Sequence, residues 1–490
     1  MPESKDNCIF VIFGGTGDLT KRKLIPALYN LFIEDRLSKN LMIVSIGRRD
    51  YTNEYYIELM ERAVRQFSED TFSAEKWEVF KERICYNQFD FSSDFDGYRL
   101  LDRFLRSLDE KHDTKGNRIF YLAVPPDAFE TIIENLKKFR MIENTASWER
   151  VMVEKPFGSN LETAQNLNEN ISKNLPEDKI FRIDHYLGKE MIQNIMAIRF
   201  GNSIFEPLWN HHYIDNIQII SMETIGVENR GAYYESTGIL KDMLQNHILQ
   251  MLALISMEPP INMEPESIRD EKVKAIRSLR LFNHQSAREN IVLGQYGKGK
   301  EMKAYREEEN VSSDSKVPTF IALKACIDNF RWGGVPFYIK VGKSLNDKCT
   351  KIVVQFKKLP GINNYREFDH TKPNILVIRI QPSEGIFFQI NAKKPGNEFL
   401  INNVELDYCQ KSKYSSNSTK AYERLILEAI RNNSSLFTRW DELQYSWKYI
   451  ESIEESTSDF ELSYPNYSAG SQGPDQASLL ISRDGNKWWT

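Results

Sequence analysis

The sequence predicts an α/β unit built on a doubly wound parallel sheet, followed by a larger α+β unit with a big, mainly antiparallel sheet. Two observations carry this prediction. Over residues 8–184, apolar runs of strand length alternate with amphipathic stretches of helical period, the pattern that lays crossover helices on a parallel sheet. Beyond residue 185 the alternation stops, and strand-like runs follow one another with Gly, Pro and Asn at the turns.

In chain order, the strands of the first part are read at 9–13, 42–46, 118–122 and 150–153. Crossover helices lie between them, as at 19–32, where Leu24, Leu28 and Leu31 recur at three- and four-residue spacing, and at 52–67. The second part opens with long helical patterns at 188–200 and 237–255. Strands then follow at 214–224, 319–328, 337–341, 352–356, 375–381 and 386–392, with a helix at 422–431. From about Ser463 a Ser-, Gly-, Pro- and Asp-rich tail is expected to lie on the surface. No internal repeat or low-complexity tract interrupts this order.

Composition narrows the function classes. With 490 residues, the chain can bury real cores, and its formal charge of −5 is spread without a long basic or acidic block. Nucleic acid and anionic membrane surfaces are therefore not expected partners, and any anionic ligand must be held by a local cluster. The five cysteines are scattered without a Cys-x-x-Cys pair, which argues against a disulfide framework or a structural zinc site and for a reducing cytoplasm. The first residues carry no apolar signal core and no apolar run reaches membrane-spanning length, so a soluble protein is expected.

Three stretches carry chemistry. Gly14-Gly15-Thr16-Gly17-Asp18-Leu19 follows an apolar strand and precedes an amphipathic helix, where a glycine turn lets backbone N–H groups approach a pyrophosphate. The spacing departs from Gly-x-Gly-x-x-Gly, so a plain tight turn is the competing reading. Asp18 is placed to cap the helix. Thr20-Lys21-Arg22-Lys23 puts positive charge in the first turn, which the helix dipole disfavours unless an anion binds there. At the end of the second strand stands Gly47-Arg48-Arg49-Asp50, where a reader of a ribose 2′-hydroxyl would be acidic; two arginines suit a 2′-phosphate or are a solvated pair.

The other two stretches are Val153-Glu154-Lys155-Pro156-Phe157-Gly158 and Arg182-Ile183-Asp184-His185-Tyr186-Leu187-Gly188-Lys189-Glu190. Lys155 is held by a proline at the carboxyl end of a parallel strand, where open α/β sheets bind ligands. A helix beginning near Asp184 would put His185 and Lys189 on one face with Tyr186 one step round, so that three donors could meet one phosphate. Among the seven histidines, His112, His185, His211, His212, His247, His284 and His370, one stands out. His247 shares its helical face with Met243, Leu244 and Met251, and periodicity alone makes it a buried core histidine.

Together the glycine turn and these two stretches resemble the glucose-6-phosphate dehydrogenase family, over residues 8–488. The resemblance implies a Rossmann-like coenzyme domain at 1–184 and an α+β substrate and oligomerisation domain at 185–490. It implies NADP, with Gly14, Gly15, Thr16, Gly17, Asp18, Leu19, Lys21 and Lys155 at the coenzyme and Arg48 at its 2′-phosphate. It assigns His185, Tyr186 and Lys189 to the phosphate of glucose 6-phosphate and Lys155 to both sugar and nicotinamide. His247, within Asp242-Met243-Leu244-Gln245-Asn246-His247 and preceded by Asn229-Arg230-Gly231-Ala232-Tyr233, matches the catalytic base, paired with Asp184. Glu223 and Asp242 match ligands of sugar hydroxyls, and Lys343, Lys348 and Gln381 match further substrate contacts.

The reaction so implied is oxidation of the anomeric hydroxyl to 6-phosphogluconolactone with formation of NADPH, the first step of the pentose phosphate pathway, without a metal. A homodimer or homotetramer is implied as well. A structural second NADP, as in some eukaryotic members, is not expected. The matching positions are Cys349, Val353, Phe387, Gln389, Gln472 and Asn486, with only Arg379 and Trp488 retained. Two rival readings are another two-domain NAD(P)-dependent sugar oxidoreductase, which needs no phosphate cradle, and a catalytically silent NADP-sensing protein. Retention of Lys155, Asp184, His185 and His247 together speaks against the silent protein.

Overall fold

The computed structural model describes residues 7–142, 147–359, 371–409 and 419–489; His370 lies outside them. The chain divides into two compact units, the first formed by Met1–Gly188 with Asn262–Arg269 and Asn417–Gln444, the second by the remainder.

The first unit is a doubly wound parallel sheet. Its strands are β1 (Ile9–Phe13), β2 (Met42–Gly47), β3 (Ile84–Gln88), β4 (Arg118–Leu122), β5 (Glu149–Val153) and β6 (Ile180–Ile183). Among the described residues they run in the order β6-β5-β4-β1-β2-β3, with the short strand Phe437–Thr438 antiparallel beside β6. The order reverses at β1, which pairs with both β2 and β4, so their carboxyl ends open the crevice where such sheets bind ligands. β1, β2, β4 and β5 are buried on both faces, which is why they read as unbroken apolar runs. β3 and β6 are absent from the sequence reading. β3 is an edge strand with polar residues at its exposed end, and β6 has four residues including Arg182.

Two later segments complete this unit. The helix Thr419–Ile430 packs on the helix Ile25–Ile33, and Arg150 donates to the last carbonyls of the former, Ala429 and Ile430, both at 2.6 Å. Arg269, buried, donates to Glu266 at 2.6 Å, and Arg439 donates to the same carboxylate at 2.9 Å. Burial raises the Glu266 carboxyl, and Arg269 and Arg439 outweigh it and hold the pKa below the ordinary value. These charges tie both inserted segments together.

The second unit is α+β. β7 (Ile214–Met222), β8 (Ile291–Gly294), β9 (Tyr296–Gly297), β10 (Phe320–Ala325), β11 (Phe337–Gly342), β12 (Cys349–Phe356), β13 (Ile375–Gln381), β14 (Gly385–Lys393) and β15 (Ile401–Cys409) are its strands. All but β9 form one sheet, ordered β15-β14-β13-β12-β7-β11-β10-β8. It is antiparallel except where β11 runs parallel to β7. β8 and β15, the sheet's two edges, were not foreseen; β15 is exposed almost throughout and carries Asn402, Asn403, Glu405 and Asp407.

Helices span Glu190–Phe200 and, in succession, Gly231–Ile239, a π-helical Leu240–Ile248 and Leu249–Ser256. The expected single helix at 237–255 thus begins earlier and breaks at Gly238, whose φ of 55° and ψ of −174° suit glycine. The tail does more than lie on the surface. Tyr467–Ser468 pairs with β9, and the helix Asp475–Ser482 packs on β8 and β10. Ala477, Leu480 and Ile481 are buried there, an apolar face that forms only once the segment is wound into a helix, and Trp488 beyond its end is buried in the same core. No helix among the described residues is long and apolar enough to cross a membrane.

Candidate functional site

In the first unit, the glycine turn joins β1 to the helix that follows. Gly14 and Gly15 both donate to the Ile46 carbonyl, at 3.0 and 2.7 Å, which draws the turn onto the end of β2. Gly14 has φ +86°, and a Cβ there would stand 2.2 Å from the Ala123 carbonyl oxygen, so only glycine fits. Thr20, fully buried, donates to the Gly14 carbonyl at 3.0 Å, and Gly17 does so through its backbone at 2.9 Å. Tyr56 donates to the Gly15 carbonyl at 2.8 Å from beneath.

Asp18 does not cap the helix. It lies inside the first turn and pairs with Arg22 at 3.4 Å in solvent, while Thr20 fastens the turn. The π-helical stretch Thr20–Leu24 carries Lys21, Arg22 and Lys23, and burial together with Arg22 holds the Lys23 amine below its ordinary pKa. A turn tightened to glycine and followed by Lys21, Arg22 and Lys23 fits an anionic coenzyme phosphate. Thr16 and Leu19 are half-buried in the same loop. Of the two arginines after β2, Arg49 donates to the Tyr51 hydroxyl at 3.0 Å, whereas Arg48 is exposed and has no hydrogen bond or ion pair among the described residues. The structure therefore leaves Arg48 available.

Lys155 leaves the carboxyl end of β5 through a cis peptide bond to Pro156. The preceding Glu154 accepts the Tyr121 hydroxyl at 2.6 Å and the Tyr422 hydroxyl at 3.2 Å. Burial raises its carboxyl pKa, against the pull of both phenols and Lys155. Tyr422 was not visible in the sequence as a partner, because it lies 268 residues away.

Asp184, His185 and Tyr186 follow β6. Here the expected helix is corrected: 184–188 form a turn, and the helix starts at Glu190 with Lys189 extended at its N-terminus. The Asp184 carboxylate accepts the Tyr186 backbone N–H at 2.9 Å and its carbonyl accepts Leu187 N–H at 3.0 Å, so the aspartate closes a turn and does not begin a helix. His185 and Lys189 consequently do not share a helical face. The rings of His185 and Tyr186 instead meet edge to face, with centroids 5.1 Å apart.

In the second unit, two sets of predicted residues come together. Lys343, buried, lies 2.5 Å from Glu223 and 3.8 Å from Asp242, and Arg230 stands 3.7 Å from the other oxygen of Asp242. Glu223 and Lys343 are adjacent because β7 and β11 run parallel and end side by side; Glu223 N–H donates to Gly342 and Leu345 N–H to Glu223. Beneath them lies Tyr234, buried, its ring centroid 5.3 Å from the Lys343 ammonium; burial and then Asp242 push the phenol well above its ordinary pKa. Sequence reasoning missed Tyr234 and Arg230's contact, for which helical spacing to Asp242 across the Gly238 break offers no signal.

The second set is Lys189 and Gln381. The ammonium donates to the Gln381 side-chain oxygen, and the Gln381 amide donates to Thr350 at 3.1 Å, itself 3.1 Å from Ser221. Three neighbouring strands thus aim the lysine. Asp242 and His247 both sit on the π-helical stretch and are buried, as are Met243, Leu244 and Met251. Lys348 stands apart, exposed beyond β11.

On the sheet face matched to the eukaryotic second coenzyme, Arg379 is engaged by Asp407, and Trp488 donates to Ala477 at 2.8 Å. Asn486 accepts Gln355 at 3.1 Å, and Phe387 packs on Trp489. Two cations not counted in the sequence share this face. Lys340 and Lys351 are both in register with Ile220, and Lys351 with Arg379.

Comparison with known proteins accounts for the whole chain. The family model described as glucose-6-phosphate dehydrogenase, NAD binding domain, matches residues 11–194, and that of the C-terminal domain matches 196–489. The glucose-6-phosphate 1-dehydrogenase of Chlamydia pneumoniae is 44% identical over 499 residues, covering 99% of this chain and 97% of its own length. That of Bacillus subtilis (strain 168) is 44% identical over 486 residues, with 98% of each covered. A solved structure of glucose-6-phosphate dehydrogenase in complex with its substrate glucose-6-phosphate has a TM-score of 0.91 at 35% identity, with 99% of both chains covered. The chain belongs to the glucose-6-phosphate dehydrogenase family.

Proposed function

We propose that the protein oxidises glucose 6-phosphate at C1 to 6-phosphogluconolactone while NADP is reduced to NADPH. The observation that carries this reading is the match, over nearly the full length of both partners, to relatives named glucose-6-phosphate 1-dehydrogenase. The glycine turn from Gly14 to Leu19, with Lys21 and Arg48, would hold the coenzyme, which when bound supplies the hydride acceptor. His247 takes the C1 hydroxyl proton, and Asp184 is its carboxylate partner. Lys155 meets the sugar and the nicotinamide, Glu223 and Asp242 hold sugar hydroxyls, and His185, Tyr186, Lys189, Lys343, Lys348 and Gln381 complete the substrate contacts. Orientation and base catalysis suffice, the base contributing about 10² to 10⁴ in rate.

The same proposal places the coenzyme domain at 1–184, the substrate domain at 185–490, the protein in the cytoplasm, and the assembly as a homodimer or homotetramer. It includes no tightly held second NADP: after extensive dialysis, denatured protein should release none, and about one per chain would refute that part. Coenzyme reduction followed spectrophotometrically with glucose 6-phosphate or glucose, and with NADP or NAD, tests the function. Equal turnover of glucose and glucose 6-phosphate would favour a general sugar oxidoreductase, and no turnover a silent nucleotide-binding protein.

A further inference from the structure

Glu154 precedes Lys155 at the end of β5 and has no role in the scheme above. Its carboxylate accepts three donors from three elements: the Tyr121 hydroxyl from β4, the Tyr422 hydroxyl from the helix Thr419–Ile430, and the backbone N–H of Lys155 itself. Burial, with the charge of Glu154 next to them, keeps both phenols far above their ordinary pKa, so they stay protonated and donate. The groups facing this carboxylate are therefore Tyr121, Tyr422 and Lys155, with Asp184 the further acid facing Tyr422.

Desolvation works against the charged carboxylate. A buried acid kept at such a place by two tyrosines does something an apolar residue of its size would not. The peptide N–H it accepts belongs to Lys155, so the strand end cannot shift or rotate without breaking bonds to β4 and to the inserted helix.

We propose that Glu154 is a positioning residue for Lys155, with Tyr121 and Tyr422 as its donors, so that a helix from residues 419–430 sets the aim of the lysine after β5. The inference rests on the reading of Lys155 as the lysine that meets sugar and nicotinamide.

The test uses the full-length protein and the variants Glu154→Gln, Tyr422→Phe and, as a control, Lys155→Ala. The measurements are kcat, both KM values, melting temperature and the primary isotope effect with glucose 6-phosphate deuterated at C1. Glu154→Gln keeps the shape and removes the charge; kcat should fall about 10- to 100-fold. Tyr422→Phe removes one donor and should cost about 3- to 10-fold, and it carries the test if Glu154→Gln does not fold. In both, the isotope effect on kcat should rise because hydride transfer becomes more rate-limiting, while KM for NADP stays within about twofold. A merely structural role would lower the melting temperature and leave kcat and the isotope effect at wild-type values, which overturns the proposal. If Lys155→Ala keeps wild-type kcat, the reading of Lys155 itself fails. Loss of kcat in Lys155→Ala with unchanged Glu154→Gln and Tyr422→Phe removes only the positioning role.

Discussion

The ammonium of Lys343 lies between two carboxylates, 2.5 Å from Glu223 and 3.8 Å from Asp242. Lys343 and Asp242 have side chains only 7% and 6% exposed, so solvent screens the cluster weakly. Lys343→Met should destabilise the fold by about 3 to 5 kcal/mol, because Glu223 loses its cation and buried Asp242 loses one of the cations beside it, keeping Arg230 at 3.7 Å. Chemical denaturation measures this. Adding Asp242→Asn should recover part of the loss, and strict additivity would show that the three groups do not act together.

His247→Asn should lower kcat by about 10² to 10⁴ while leaving the dissociation constant of glucose 6-phosphate nearly unchanged, since a base acts in the transition state. Isothermal titration alongside steady-state kinetics checks both halves. Near-normal turnover would remove His247 from the role.

Lys189→Ala should raise KM for glucose 6-phosphate about 10- to 100-fold, the loss of one charge-assisted contact of about 1.5 to 3 kcal/mol. Free glucose should be affected little. Gln381→Ala should act in the same direction but less, because Gln381 holds the lysine in place. Equal penalties with both sugars would show that Lys189 does not read the phosphate.

Arg48→Ala should weaken NADP by a similar energy and spare NAD, whereas Arg49→Ala should change the ratio little, Arg49 being held by Tyr51. The NADP/NAD ratio of kcat/KM is the readout, and an unchanged ratio in Arg48→Ala contradicts the 2′-phosphate role.

Lys340 is 3% exposed and lies 5.7 Å from the ring centroid of Trp488; burial pushes its amine down from 10.5 to about 8. A base whose folded pKa is depressed binds fewer protons folded than unfolded, so its penalty is full below about pH 8 and fades as pH rises toward 10.5. That shift corresponds to at most about 3 kcal/mol. Lys340→Met should therefore raise stability at pH 7 by up to that amount and flatten the dependence of stability on pH between 8 and 10.5. Urea unfolding at several pH values would show it; an unchanged slope means the amine is not desolvated.

Much of this molecule was legible in the sequence wherever local pattern and burial agree. β1, β2, β4 and β5 are buried on both faces, and their apolar runs announce them; β3, β6 and β15 carry polar residues because they are edges or short, so no run marks them. Arg48, Lys155 and His247 could be singled out because each stands at a recognisable place in a motif. The turn at 184–188 could not, since helical spacing from Asp184 to Lys189 looks the same whether or not the aspartate side chain captures the Tyr186 N–H.

Local pattern and composition were enough for the two fold classes, the glycine turn and the list of charged residues available for chemistry. Tertiary structure decided which of them meet. The parallel pairing of β7 with β11 puts Lys343 beside Glu223, three strands bring Gln381 to Lys189, and a helix 268 residues downstream delivers Tyr422 to Glu154. The physical reason is that periodicity reports which face of an element is buried, while the partner across that face comes from another part of the chain. Only the packed sheet, by fixing register, selects it.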